Sequence, residues 1–196
     1  LVKLKTPFLD NSELAQIIAL ENDDRFGSTV IPIHFDANGG DTALSAGLDE
    51  LFSAADEAIA SGSTILVLSD RGIDAGNAPI PALLAVSGLH HHLVREKKRT
   101  KVGLVVETGE AREVHHFALL IGYGANAINP YLALDSLSRL QADGYIDADF
   151  DEQEAKNLYL KSLKKGVIKV MSKMGISTVQ AYRGAQIFEA IGLSSE

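Results

Sequence analysis

Two groups of residues in this sequence have the types and spacing to do chemistry. The first is histidine, in the runs His90-His91-His92 and His115-His116. Consecutive residues on a helix point about 100° apart, so neither run can wrap a single ion, and neither sits in the HExxH spacing that puts two imidazoles on one face. A metal site would need one His from each run to meet in space, and packed or exposed imidazoles are the simpler reading. The second group lies just after apolar runs: His34 and Asp36, Asp70 and Arg71, Glu107 and Thr108, Asn129, and Ser177 with Thr178. If those runs are parallel strands, their ends share one edge, where Asp70, Arg71 and Glu107 could form an acid-base cluster. The same residues serve equally as an ion-pair and capping network that fastens the strand-to-helix loops, and that reading is preferred. The glycine-rich stretches ANGG and SDRGIDAG lack both the lysine-serine end of a phosphate loop and the GxGxxG spacing, so no nucleotide site is assigned.

The elements that must position these groups follow a strand-helix rhythm. A helix within Pro7 to Leu20, capped by Asn11 or Ser12, carries Leu14, Ile17 and Ile18 on one side. Ser28 to Asp36 reads as one strand, with Pro32 marking an edge position or an irregularity. Asp41 is placed to cap the next helix, whose stripe of Leu44, Leu48, Leu51, Phe52, Ala55 and Ile59 should pack on a sheet. Thr64 to Leu68 is a run apolar enough to be buried on both faces. A loop from Gly72 to Pro81 leads to a helix from Ala82 to about Glu96, ended by the cationic run Lys97 to Lys101, which suits the helix dipole. Val102 to Val106 is the next strand, Glu113 to Tyr123 the next helix, Ala125 to Ile128 a short strand, and Tyr131 to Gln141 another helix. Beyond an acidic loop, Ala155 to Met174 is amphipathic, with Leu160, Leu163, Val167, Val170, Met171 and Met174 on one side. Its ladder of Lys161, Lys165, Lys169 and Lys173 reads as a solvated face. Ile176 to Val179 is a further strand candidate, and Ala185 to Leu193 a final helix.

Composition narrows the functional classes. With 196 residues, 46% of them hydrophobic, the chain is expected to form a single domain with a substantial core. It contains no Cys, which removes disulfides, thiolate nucleophiles and cysteine-ligated clusters from these residues. No apolar run approaches the ~20 residues of a membrane span, so a soluble, intracellular protein is expected. The net charge of −8 lies in residues 1–60, which hold 11 acidic and 3 basic side chains. That balance disfavours nucleic acid as a partner. A start at Leu1 rather than Met suggests a piece of a longer polypeptide.

Two long segments carry a family resemblance. LVLSDRGIDAGNAPIPALLAVSGLHHHLVREKKRTKVGLVVETGEAREVHHFALLIGYGANAINPYLAL, followed by YLKSLKKGVIKVMSKMGISTVQAYRGAQIFEAIGL, resembles the central domain of the glutamate synthase large subunit over roughly residues 60–193. The resemblance implies an α/β fold with a mainly parallel sheet flanked by helices, a rudimentary or incomplete TIM-like barrel. It implies a parent flavoenzyme, cytoplasmic or plastid, that makes L-glutamate from L-glutamine and 2-oxoglutarate. There the central domain links an ammonia-releasing glutaminase domain to an FMN-binding synthase domain and helps form the ammonia tunnel. Electrons come from NAD(P)H through a small subunit, or from ferredoxin, by way of an iron-sulfur cluster. Set against that parent, the fragment is expected to lack the FMN barrel that would follow Leu193 and the first part of the central domain, and so to be inactive alone, without cofactor, and able to self-associate through uncovered apolar surface. Asp70, Arg71, Glu107, Thr108, Asn129, Ser177 and Tyr182 are then candidate domain-interface or tunnel-side residues. The rival readings are a stand-alone βα enzyme using Asp70, Arg71 and Glu107 on a small acid substrate, and a pure assembly module.

Overall fold

The computed structural model describes residues 2–192 apart from 24, 148 and 190. Four parallel strands make the main sheet in the order β1 (Gly27–Pro32), β3 (Ser63–Ser69), β5 (Gly103–Glu107), β6 (Ala127–Asn129). Between them run α2 (Ala43–Ala60), α3 (Ala82–Arg95) and α4 (Val114–Gly122). Alternation on the strands separates two cores. Ile31, Leu66, Leu68, Leu104, Val106 and Ile128 face α2, α3 and α4, while Ile65, Val67, Val105 and Ala127 face the opposite way, onto Leu14 and Ile17 of α1 (Asn11–Ile18). The architecture is three layers around an open parallel sheet, with no closed barrel among the described residues.

The chain before α1 extends the sheet past β6. Phe8 bridges to Ile128 in parallel, with Leu9 N–H donating to the Ile128 carbonyl and Ile128 N–H to the Pro7 carbonyl, at 2.9 and 2.8 Å. Asp10 then caps α1 in place of Asn11 or Ser12, which lie inside the helix. Its carboxylate accepts the Glu13 N–H at 2.8 Å and the Glu13 carboxylate accepts the Asp10 N–H at 3.1 Å, so two orphan donors are satisfied reciprocally.

Ser28 to Asp36 is two strands rather than one. Pro32 ends β1 at the sheet edge, and buried Ile33 acts as the joint: its N–H donates to Ser69 O and its carbonyl accepts Ile80 N–H, both at 2.9 Å. The following β2 (His34–Asp36) pairs antiparallel with β4 (Asn77–Pro79), a three-residue strand inside what the composition presents as a Gly/Pro loop. Asp41 does not cap α2; it sits in a 3-10 turn at Gly40–Thr42 that leads into the helix. The most buried face of α2 is Ala43, Gly47, Leu51, Ala55 and Ala58, with Leu44, Leu48, Phe52 and Ile59 packed half-buried on its flanks. Small residues at the contact let the helix approach its neighbours closely.

The last third carries α5 (Tyr131–Ala142), α6 (Glu152–Lys173) and α7 (Val179–Gly184). Leu163, Val167 and Met171 of α6 join the core against α4, and the four lysines of the ladder are exposed. Gly166 makes that contact possible, because a Cβ there would stand 2.3 Å from Val114 Cγ2. Met174, at the end of the stripe, is 51% exposed. Ile176 to Val179 is not a strand: Thr178 is the N-cap of α7, its hydroxyl accepting Ala181 N–H at 3.1 Å. Nor is 185–193 a helix over its described residues, since α7 stops at Gly184 and Gln186 takes a φ of 47°; Ile187 and Phe188 pack on the core from irregular chain. Residues 190 and 193 of that expected helix lie outside the described residues.

Candidate functional site

The strand ends do converge. Just past the regular ladder the backbones stay stitched in a staircase: Ile33 N–H to Ser69 O, Asp70 N–H to Glu107 O at 3.2 Å, and Thr108 N–H to Asn129 O at 3.0 Å. This brings Ser69, Asp70, Glu107, Thr108 and Asn129, all buried, to one edge of the sheet.

Each buried carboxylate there is met by donors. Asp70, 4% exposed, accepts the Thr108 hydroxyl at 2.6 Å and the Gly109 N–H at 2.8 and 3.1 Å on its two oxygens. Tyr131, the first residue of α5, lies close enough for its phenol to feel Asp70; burial and then the Asp70 charge push its pKa up to about 12. Glu107 accepts the Ser69 hydroxyl at 2.6 Å on one oxygen and the Arg71 Nε–H on the other. Arg71 is oriented twice, by Glu107 and by the Tyr131 ring 3.8 Å beneath its guanidinium, yet 46% of its side chain is exposed. The Thr108 hydroxyl also accepts Glu110 N–H at 3.0 Å, and Glu110 accepts Ala82 N–H at 2.9 Å, capping α3 from the neighbouring loop. Asn129 reaches back to the N-terminal segment, donating to Leu9 O at 3.1 Å and Asn11 Oδ1 at 3.0 Å. A groove of about 350 Å³ opens beside the cluster, floored by Leu83, Leu119 and Leu120 and edged by Glu110, Arg112 and His116.

Five of the seven predicted interface residues therefore meet or adjoin one another. Ser177 and Tyr182 are elsewhere. Ser177 is exposed in the turn before α7, and Tyr182 is fully buried with its hydroxyl donating to Ala118 O at 3.1 Å. His34 and Asp36 belong to the second, two-stranded sheet. Tyr131 and Gly109 join the cluster without any motif of their own; each stands two residues past a strand, β6 and β5, and that position is their signal in the sequence.

The histidines divide. His92 stacks on Phe52 at 4.8 Å and lies 3.2 Å from Asp56 Oδ2, while His91 and His115 are exposed. Among the described residues no three His, Asp or Glu come together as a metal site. His90 works at the opposite end of the sheet, where its Nδ1 accepts Arg99 Nε–H at 2.9 Å. Arg99 leaves the cationic run to turn inward and also donates to Val102 O, Gly124 O and Asn126 Oδ1 at 2.8–3.1 Å. Burial, and then Arg99, hold the His90 pKa down to about 4. Gly124, at φ +127°, is needed here because a Cβ would lie 2.5 Å from His90 Nδ1.

The strand ends do not fit a flavin phosphate: the Gly109 N–H that could bind one is taken by Asp70, and two carboxylates repel an anion. A family model described as the glutamate synthase central domain matches residues 1–194. The chain belongs to that family. It is 49% identical over 195 residues to the glutamate synthase [NADPH] large chain of Bacillus subtilis, covering 100% of this chain and 12% of that protein. It is 41% identical to glutamate synthase [NADH] of Saccharomyces cerevisiae, covering 98% of this chain and 9% of that one. It is 42% identical to the chloroplastic ferredoxin-dependent glutamate synthase of Spinacia oleracea, over 100% and 12% of the two. This central domain thus spans about a tenth of the length of those relatives. Among solved structures, a mutant flavocytochrome b2 with benzoylformate aligns with a TM-score of 0.50 at 12% identity, over 74% of this chain and 40% of that chain, a likeness of fold. No helix among the described residues is long and apolar enough to cross a membrane.

Proposed function

We propose that this central domain is the connecting piece of a glutamate synthase that forms L-glutamate from L-glutamine and 2-oxoglutarate. On this reading residues 1–196 form one domain between a glutaminase part and an FMN-binding part of the same polypeptide and form part of the wall along which ammonia passes. FMN and the iron-sulfur cluster belong to the parent, whose electrons come from NAD(P)H through a small subunit or from ferredoxin, in the cytoplasm or a plastid. These 196 residues alone carry no catalysis.

The observation that supports this best is the state of the strand-end carboxylates. Asp70 and Glu107 are buried and both oxygens of each accept hydrogen bonds from the fold itself, which is how loop-fastening groups are arranged. A small acid substrate handled by Asp70, Arg71 and Glu107 would have to displace those bonds. Arg71 alone presents a held but half-exposed charge, suited to meeting a neighbouring domain. Replacing Arg71 by Ala in the full-length enzyme tests the role. The expected result is release of free ammonia per glutamine hydrolysed rising severalfold while FMN content is unchanged; an unchanged ratio, or loss of FMN, would count against it.

A further inference from the structure

The two edges of the main sheet are finished differently. Beyond β6 the segment 7–9 is bonded on as a further extended piece. Beyond β1, among the described residues, no strand is paired. A register shift between Gly27 and Ser28 and the proline at 32 confine the open stretch to Ser28–Ile31, whose outward backbone groups need partners that water or another strand must supply. Ser28 and Val30 point to the face covered by α1, opposite Ile65 and Val67 of β3. That cover ends early. Ile18 and Glu21 lean over Ser28, but Val30 is left 41% exposed, and these residues with Thr29 enclose a groove of about 470 Å³ along the edge. Ser28 itself is 5% exposed and its hydroxyl has no hydrogen-bond partner. A bare strand edge, a valine at its centre and an unsatisfied buried hydroxyl beside it together describe an acceptor for one more extended segment.

We infer that an extended segment of the same glutamate synthase polypeptide, from outside residues 1–196, adds to the outer edge of β1 and covers Val30. This rests on the connecting role proposed above. The relatives supply ample further chain, since residues 1–196 match only 9–12% of their lengths. A second copy of this chain is a poorer occupant: the open stretch is only Ser28–Ile31, and the few backbone hydrogen bonds it offers favour a segment tethered in the same polypeptide over an untethered copy.

Hydrogen exchange of the peptide over residues 26–33 decides it, measured in the isolated chain and in the full-length enzyme. The expected result is slowing of the outward amides by about a hundredfold or more in the full-length enzyme, reversed there by Val30→Lys, a change that leaves the melting temperature of the isolated chain unaltered. Equal exchange in both forms overturns the inference. So does protection of the isolated chain that grows with concentration alongside a dimer in sedimentation, which would assign the edge to a second copy. The peptide over residues 70–76 reads the connecting role separately: protection there without protection at 26–33 keeps that role and removes only the added strand.

Discussion

The two ends of one parallel sheet carry opposite charge for the same reason. At the C-terminal ends of the strands the following helices and turns begin, and their unpaired N–H groups favour carboxylates; Asp70 takes Gly109 N–H and Glu110 takes Ala82 N–H. At the N-terminal ends the helices finish, and spare carbonyls favour a cation; Arg99 takes Val102 O and Gly124 O. A polar cluster at the carboxyl end of parallel strands is where a βα enzyme would work. Here its two carboxylates, Asp70 and Glu107, are engaged like the groups of the structural cluster at the far end. Position identifies a candidate site, and the carboxylate oxygens left free decide whether that site can act.

The acidic end should be the more fragile. Asp70→Ala strands the buried Thr108 hydroxyl and the part-buried Gly109 N–H, and is expected to cost about 3 kcal/mol in denaturant unfolding. Arg99→Ala at the other end should cost about 2 kcal/mol, and Arg99→Lys should recover only a minor part, because an ammonium cannot span acceptors on three sides. If the lysine restores full stability, the planar fork is irrelevant. The His90 contribution is pH-dependent. Its folded pKa is depressed from the ordinary 6.5 to about 4, so the unfolded chain binds the proton first and stability falls as pH drops from about 6.5 towards 4. The loss should be on the order of 1–2 kcal/mol, and His90→Asn should flatten that part of the pH profile. Smallest is Lys97→Gly, which relieves a φ of 57° after α3 and should raise stability by about 0.5 kcal/mol.

Much of this was readable in advance because parallel strands buried on both faces announce themselves. β3, β5 and β6, the helices between them and the gathering of Asp70, Arg71, Glu107, Thr108 and Asn129 all follow from apolar runs ending in polar residues. What was not legible depended on tertiary placement. β4 is three residues ending in a proline and exists because β2 lies beside it. The Ile176 run is apolar because it packs on the core, and Thr178 serves the helix rather than a ladder. Arg99 sits in a run of cations whose place in the sequence suits the dipole of the helix before it, and only the returning chain at Gly124 and Asn126 reveals its role. Tyr131 belongs to the site through the distance the fold puts between β6 and β3, which no local spacing encodes.

The strand-end carboxylates hold loops rather than react. Glu107→Gln in the full-length enzyme tests this directly, with turnover and melting temperature measured on the same preparation. The expected result is a lowered melting temperature with turnover within about threefold of the unaltered enzyme. A thousandfold loss of turnover with the melting temperature unmoved would contradict it.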